Sequence, residues 1–386
     1  MPHIVVIGAG VIGLQTALFL LEAGHKVTII AEHFPGDLDA LYTSPWAGGQ
    51  WRSHASPGQK QCDWDLQTFK YWTEIYEDEL KRPDMPFEEK SGLGRYTSNF
   101  YWNNPSTSTE LSHLPSHSPL SLWWTPHLPD IHLLTAPFPD PAIKTGISST
   151  SFSFNPQKHI TWLLRRIQQH PATAIQTLPL KLPVSDGLKG AIAAARSAVL
   201  DSTSTSSISG APTAYINATG LGARFLVPDP AVHPIRGQTL LVRGEARGIY
   251  THVMAGAGEG ADERIAYVLP RNGTGTSLIG GSKQVGVWET GVDEGLSEEI
   301  LGWARTLAPE LCGGRDGGLE VLKVQVGLRP GRKGGVRVER EVVGGDGEVV
   351  VHAYGNGGAG FQNSVGCARE VVKLVGEVVA EKGEGV

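Results

Sequence analysis

Apolar residues open the chain as a short run from His3 to Ile7, bounded by glycines, and resume from Val11 to Ala23 with the spacing of one helical face. After the turn at Gly24-His25 a second apolar run, Lys26 to Ala31, completes strand, helix and strand. From Tyr42 to Pro57 the pattern dissolves into Gly, Ser, Pro and Trp, which predicts a structured loop between domains. Residues 64–80 again carry helical spacing, and Pro156 stands ahead of a helix from Gln157 to Gln169 with Ile160, Leu163, Leu164 and Ile167 on its inner face. Between them, 98–145 is dense in Pro, Ser and Trp, and no element is assigned there. The run Ser202 to Ser209 predicts a mobile surface loop before a strand at Ala214 to Ala218.

Downstream the period drops to two. Short apolar runs at Thr239 to Arg243, Ile265 to Leu269 and Ser277 to Gly280, separated by turn residues, predict an antiparallel sheet. Strands near Val321 to Val326 and Val349 to Ala353 lead to a glycine loop and a helix from Cys367 to Val379. The fold class expected is α/β, with a Rossmann-like dinucleotide-binding domain plus a substrate domain on a mainly antiparallel sheet.

At 386 residues the chain has room for two or three domains and a large core. A net charge of -6 gives no basic footprint for nucleic acid. Cys62, Cys312 and Cys367 are odd in number and far apart, so neither a disulfide framework nor a metal site is expected. No uncharged run approaches the roughly 18 residues of a membrane span, so no membrane partner is expected.

Chemistry enters at Gly8-Ala9-Gly10-Val11-Ile12-Gly13, set between a strand and a helix, with Glu32 about 20 residues further on, at the end of the next strand. Gly8 makes the tight turn, Gly10 admits a pyrophosphate to the backbone, and Gly13 lets the helix close on the sheet. The amides of Val11 and Ile12 then open the positive end of the helix towards phosphate. Glu32 suits a ribose hydroxyl and repels a 2'-phosphate, which disfavours NADP. FAD and NAD share this half, so the motif alone does not separate them. A second glycine turn at Gly355 to Gly360, near the other end of the chain, favours a long flavin cofactor clamped from both ends.

Five further segments occur in order along nearly the whole chain: Tyr42-Thr-Ser-Pro-Trp-Ala-Gly-Gly, Ile216-Asn-Ala-Thr-Gly-Leu-Gly-Ala, Pro234-Ile-Arg-Gly-Gln, Val326-Gly-Leu-Arg-Pro and Tyr354-Gly-Asn-Gly-Gly-Ala-Gly-Phe. Together they resemble the D-amino-acid oxidase and D-aspartate oxidase family, with 98–210 departing from its pattern. The resemblance implies a discontinuous fold: residues 1–54, 148–232 and 323–386 in the FAD-binding domain, residues 55–147 and 233–322 in the substrate-binding domain. It implies that Thr43, Ser44, Ala47, Gly48 and Gly49 wrap the pyrophosphate and flavin, and that Gly357, Gly358, Gly360, Phe361 and Gln362 meet the polar edge of the ring. It also implies oxidative deamination of a small D-amino acid, with dioxygen as co-substrate and hydrogen peroxide, ammonia and a 2-oxo acid as products.

By the same resemblance Arg329 takes the α-carboxylate, for which a guanidinium fork is geometrically suited, and Tyr267 adds a phenolic donor. Lys283 and His54 match positions that are cationic or histidine in D-aspartate oxidases and aromatic in oxidases of neutral D-amino acids. Arg52 is a third candidate. Arg332, Lys333 and Arg337 are expected as solvated turn charges. The leaning is to D-aspartate, with D-glutamate accepted because a lysine is less directional than an arginine. An oxidase of neutral D-amino acids, and a flavin- or nucleotide-binding protein without catalysis, remain open at this stage. The resemblance implies a peroxisomal location, yet the ending Gly-Glu-Gly-Val is not a Ser-Lys-Leu type address, which leaves the cytoplasm open. Oligomeric state is not legible in the sequence.

Overall fold

The computed structural model describes residues 1–170, 175–182, 185–202, 211–254, 264–313, 317–344 and 347–383. The Ser/Thr run at 203–209 lies outside these residues. Among the described residues the strands form two sheets, and the first has the order β14 (Arg337–Val343), β15 (Glu348–Tyr354), β7 (Ala214–Asn217), β1 (His3–Ile7), β2 (Lys26–Ala31), β6 (Ile175–Pro179). All neighbours in it are parallel except β14 and β15.

Both faces of this sheet are covered. Ile4, Val6, Val27, Ile29 and Val351 pack into a core shared with α1 (Val11–Glu22) and α7 (Gly360–Gly383). Val5, Ile7, Ile30, Tyr215 and Val350 point the other way, onto Leu188, Ala191 and Ile192 of α4 (Gly187–Ser202). That is why these strands read as unbroken apolar runs and not as alternating ones.

The second sheet runs β12 (Gln284–Val285), β8 (Val232–Arg243), β11 (Thr276–Gly280), β10 (Arg264–Arg271), β9 (Ile249–Met254), β3 (Leu93–Trp102), β5 (Thr145–Phe154), β4 (His132–Leu133), with β13 (Val321–Arg332) paired along β8. One face is closed by α6 (Glu294–Leu307), whose Ile300, Ala304 and Leu307 meet Leu240, Val242, Val268 and Ile279. Asp293 caps that helix by accepting from the Leu296 amide at 3.0 Å.

Sheet membership moves the boundaries drawn from sequence. Residues 148–154 and 323–332, assigned there to the FAD-binding part, are strands of the antiparallel sheet. The segment 98–145, left unassigned, contains the second half of β3 and the short β4, and β5 begins at its last residue. β5 is Ser/Thr-rich yet buried, because its hydroxyls have partners: Ser151 donates to the Trp51 carbonyl at 3.0 Å and Ser153 to the Pro270 carbonyl at 2.6 Å. A buried strand of satisfied serines carries no hydrophobic signal.

Residues 60–80, placed by sequence in the substrate-binding domain, form α2 (Lys60–Leu80), which lies along α7. The two backbones approach closely at Gly366, where a methyl carbon would stand 2.3 Å from the Trp64 Cα. Alanine would gain about 1 kcal/mol of helix propensity and lose about 1–3 kcal/mol to overpacking against backbone that cannot turn aside. Gly366→Ala is therefore expected to lower Tm by several degrees in a thermal melt; an unchanged or raised Tm would show that the seam has slack.

Candidate cofactor and substrate site

A cavity of about 610 Å³ runs along the C-terminal edge of the parallel sheet, within the range of small-molecule sites. Its inner wall is the turn from β1 into α1, lined by Gly8, Gly10, Val11 and Ile12. Gly8 adopts φ +110, and a methyl carbon there would lie 2.5 Å from the Ala218 carbonyl oxygen. Gly13 does not line the cavity; a methyl carbon on it would sit 1.9 Å from the Gly8 carbonyl oxygen, so it sets how closely helix and turn close. Gly10 is the N-cap of α1, with no side-chain cap of its own and no acidic residue in the first turn. The positive helix end is thus open to phosphate.

Loop 42–44 is bound onto this turn. The Tyr42 hydroxyl donates to the Ala9 carbonyl at 2.7 Å, the Val11 amide donates to Ser44 Oγ at 3.0 Å, and Thr43 Oγ1 donates to the Leu328 carbonyl at 2.7 Å. Thr43, Ser44, Ala47, Gly48, Gly357, Gly358, Gly360 and Phe361 all line the cavity, as does Glu32, which pairs with Lys181 at 3.0 Å. Phe225 of α5 (Ala223–Leu226) adds an apolar side. A glycine-lined wall, a helix end whose N-cap Gly10 offers no side chain, and a carboxylate beyond β2 fit a dinucleotide.

Two expected members stand apart from the cavity. Gly49, at φ +98, accepts the Phe154 amide at 2.8 Å, and a methyl carbon there would meet the Phe154 carbonyl oxygen at 2.2 Å. Gln362 is buried and gives its amide to Asp65 at 3.2 Å.

At one end of the cavity Arg329 of β13 lies against Gly237, where a methyl carbon would be 2.4 Å from Nη2, and its Nη1 donates to the Ser282 carbonyl at 3.2 Å. Tyr267 of β10 faces Gly280 across the strand pair, with its hydroxyl 2.5 Å from where a methyl carbon of Gly280 would be. Glycine at 237 and 280 is what lets both side chains lie flat on the sheet. Burial pushes the Tyr267 phenol up, and the Arg329 charge opposes this only in part, so the hydroxyl stays a donor.

His54, in the loop after Trp51, is exposed and does not line the cavity. Its pKa is pushed down to about 3, first by desolvation and then by Arg52, Lys283 and Arg329. The imidazole is therefore neutral near pH 7, with three cations grouped about it. Lys283 is exposed. Arg52 is buried, over the Phe100 ring at 4.5 Å and in an ion pair with Glu110, whose other oxygen accepts from Trp102 Nε1 at 3.2 Å.

Sequence reasoning missed Glu110 and Asp65. Glu110 sits in the aperiodic stretch, and Asp65 is one acid among several on α2, so neither carried a signal. Arg332 and Arg337, expected as solvated charges, are partnered: Arg332 with Asp229 at 2.8 Å, and Arg337 with Glu339 at 2.6 Å and Glu341 at 2.8 Å. Among the described residues no cluster of three or more acids, histidines and cysteines is placed to hold a metal ion.

Comparison with known proteins agrees with this geometry. The sequence profile of the DAO family, described as FAD dependent oxidoreductase, matches residues 3–374. A D-amino-acid oxidase of Fusarium vanettenii is 31% identical over 386 residues, 97% of each chain. A D-aspartate oxidase of Cryptococcus neoformans var. grubii is 31% identical over 410 residues, 96% of each chain. Among solved structures, glycine oxidase from Geobacillus kaustophilus superposes with TM-score 0.69 at 17% identity, over 98% of this chain and 95% of that one. L-α-Glycerophosphate oxidase from Mycoplasma pneumoniae, with FAD bound, superposes with TM-score 0.65 at 17% identity, over 97% of this chain and 95% of that one.

Gly13→Ala forces the helix away from the Gly8 carbonyl and spoils the phosphate seat. It should weaken FAD binding by about tenfold or more, which equals about 1.4 kcal/mol, read by titrating apoprotein with FAD. Retention of wild-type affinity would mean that the pyrophosphate lies elsewhere.

Proposed function

Since the chain belongs to the DAO family of FAD-dependent oxidoreductases, with FAD as its cofactor, we propose that it oxidises D-amino acids, and that acidic ones, D-aspartate and then D-glutamate, are preferred. The chemistry that FAD supplies when bound is two-electron oxidation of an amine, with dioxygen as the final acceptor. The protein's part is to bind and orient. Gly8, Gly10, Val11, Thr43, Ser44 and Glu32 would hold the dinucleotide half, and Ala47, Gly48, Gly357, Gly358 and Phe361 the remainder.

Arg329 offers a fork for the α-carboxylate, held in direction by the Ser282 carbonyl. Tyr267 contributes a donor that stays protonated at working pH. What supports the preference for acidic substrates is that Arg52, Lys283 and Arg329 all lie near enough to His54 to push its pKa down. A second carboxylate placed there answers an excess of positive charge, whereas an apolar side chain leaves it uncompensated. A second reading, preference for neutral D-amino acids, draws on the pairing of Arg52 with Glu110, which removes one of the three cations.

Peroxide formation from D-aspartate, D-glutamate, D-alanine and L-aspartate at equal concentration decides between them. D-Aspartate is expected ahead of D-alanine with L-aspartate inert; D-alanine ahead would establish the second reading. Arg329→Met should lower kcat/KM for every substrate by about 100-fold or more, the loss of two charge-assisted hydrogen bonds. Lys283→Met should raise KM for D-aspartate about tenfold and leave KM for D-alanine within about twofold.

The depressed His54 pKa gives a pH signature. A substrate carboxylate beside His54 offsets the cations and raises its pKa in the complex, so acidic substrates bind with uptake of a proton. Lowering the pH from 8 to 5 should thus lower the ratio of KM for D-aspartate to KM for D-alanine, and His54→Gln should flatten that trend. A ratio that rises or stays constant in the wild type would remove His54 from substrate recognition.

A further inference from the structure

Asp65 of α2 is fully buried and forms no ion pair among the described residues. Its Oδ2 accepts from Ser53 Oγ at 2.6 Å and from Gln362 Nε2 at 3.2 Å, its Oδ1 accepts from Asn363 Nδ2, and its backbone carbonyl accepts from Trp51 Nε1 at 3.0 Å. Trp51 and Ser53 flank Arg52 and precede His54. Gln362 and Asn363 stand in the first turn of α7, directly after the cavity-lining Gly357, Gly358, Gly360 and Phe361. One carboxylate thus joins the segment that carries the cationic cluster to the segment that lines the cofactor cavity.

An unpaired interior carboxylate is expensive in a fold that needs no more than packing at that point. Here three side-chain donors are turned onto it, two of them from the first turn of α7. We propose that Asp65 is a positioning residue for both halves of the site, holding the loop of Arg52 and His54 in register with the glycine loop that lines the cofactor cavity. The substrate half of this rests on the reading of the cationic cluster given above; the cofactor half does not.

Burial raises the carboxyl pKa to about 7, against the opposing pull of Ser53, Gln362 and Asn363. The groups that face it from the loop and from α7 are these three uncharged side chains, and on α2 itself the Cys62 thiol is the titratable neighbour. A proton on Asp65 takes away an acceptor and forces one of the donors to turn. The tie is therefore complete above the carboxyl pKa and loosens below it.

The test is the affinity of apoprotein for FAD between pH 6 and pH 8.5, with KM and kcat for D-aspartate and D-alanine at pH 8 on the reconstituted enzyme. In the wild type the Kd for FAD should rise about threefold or more as pH falls through 7. Asp65→Asn should weaken FAD binding about tenfold at pH 8 and lose the pH dependence. It should also raise KM for D-aspartate about fivefold with kcat within about twofold. An Asp65 that only fills space would shift Kd equally at every pH, and that result, or a wild-type profile flat across the range, overturns the proposal. Should Asp65→Asn not fold, Ser53→Ala and Asn363→Ala each remove one donor and should move the midpoint of the Kd profile upward; an unmoved midpoint overturns it as well. If the wild type ignores D-aspartate, the substrate reading falls while the FAD profile still decides the role of Asp65.

Discussion

The structure depends on one steric constraint, the closure of α1 onto the end of β1. With 1.9 Å between the Gly8 carbonyl oxygen and the place where a side chain at Gly13 would begin, no residue but glycine fits there. The same closeness on the other side, 2.5 Å from Gly8 to the Ala218 carbonyl, ties the turn to the end of β7. Because β1 is flanked by β2 and β7 and buried on both faces, its end is fixed by the whole sheet. Loop 42–44 then takes its position from the turn, through Tyr42 and Ser44, and reaches across to β13 through Thr43. The cavity-lining turn and the strand that carries Arg329 are thus joined by one chain of side-chain to backbone hydrogen bonds.

Charge is handled differently at the two ends of the cavity. At the Glu32 end each charge has an opposite number at the surface, where screening keeps the pair weak. At the Arg329 end positive charge is in excess over the one acid, Glu110, that answers it. Desolvation first, and then Arg52, Lys283 and Arg329, push the His54 pKa down at that end.

The dinucleotide half was legible from residues alone, because glycine spacing, an apolar strand and a helical period coincide within 30 residues and each has a steric reason. Arg329 and Tyr267 were singled out through resemblance alone, being ordinary strand residues until their motif is seen, and the structure places both side chains against glycines of neighbouring strands. What escaped was polar and buried. β5 hides its serines by giving their hydroxyls to carbonyls, so period and hydropathy both fail. Asp65 and Glu110 acquire meaning only from partners far along the chain: Gln362 and Asn363 for the first, Arg52 for the second. Gln362 was placed in the right loop with the wrong neighbour, since its backbone follows the glycine turn while its side chain turns back to α2.

The twelve-residue ladder between β8 and β13 holds Arg329 and Gly237 in a single rigid ribbon. His54 and Lys283, by contrast, stand on connecting segments outside any strand. One side of the site is therefore stiff and the other compliant. A substitution at His54 or Lys283 leaves the ladder intact, whereas one at Gly237 falls inside it and meets the Arg329 guanidinium, so the two sides of the site tolerate change to different degrees.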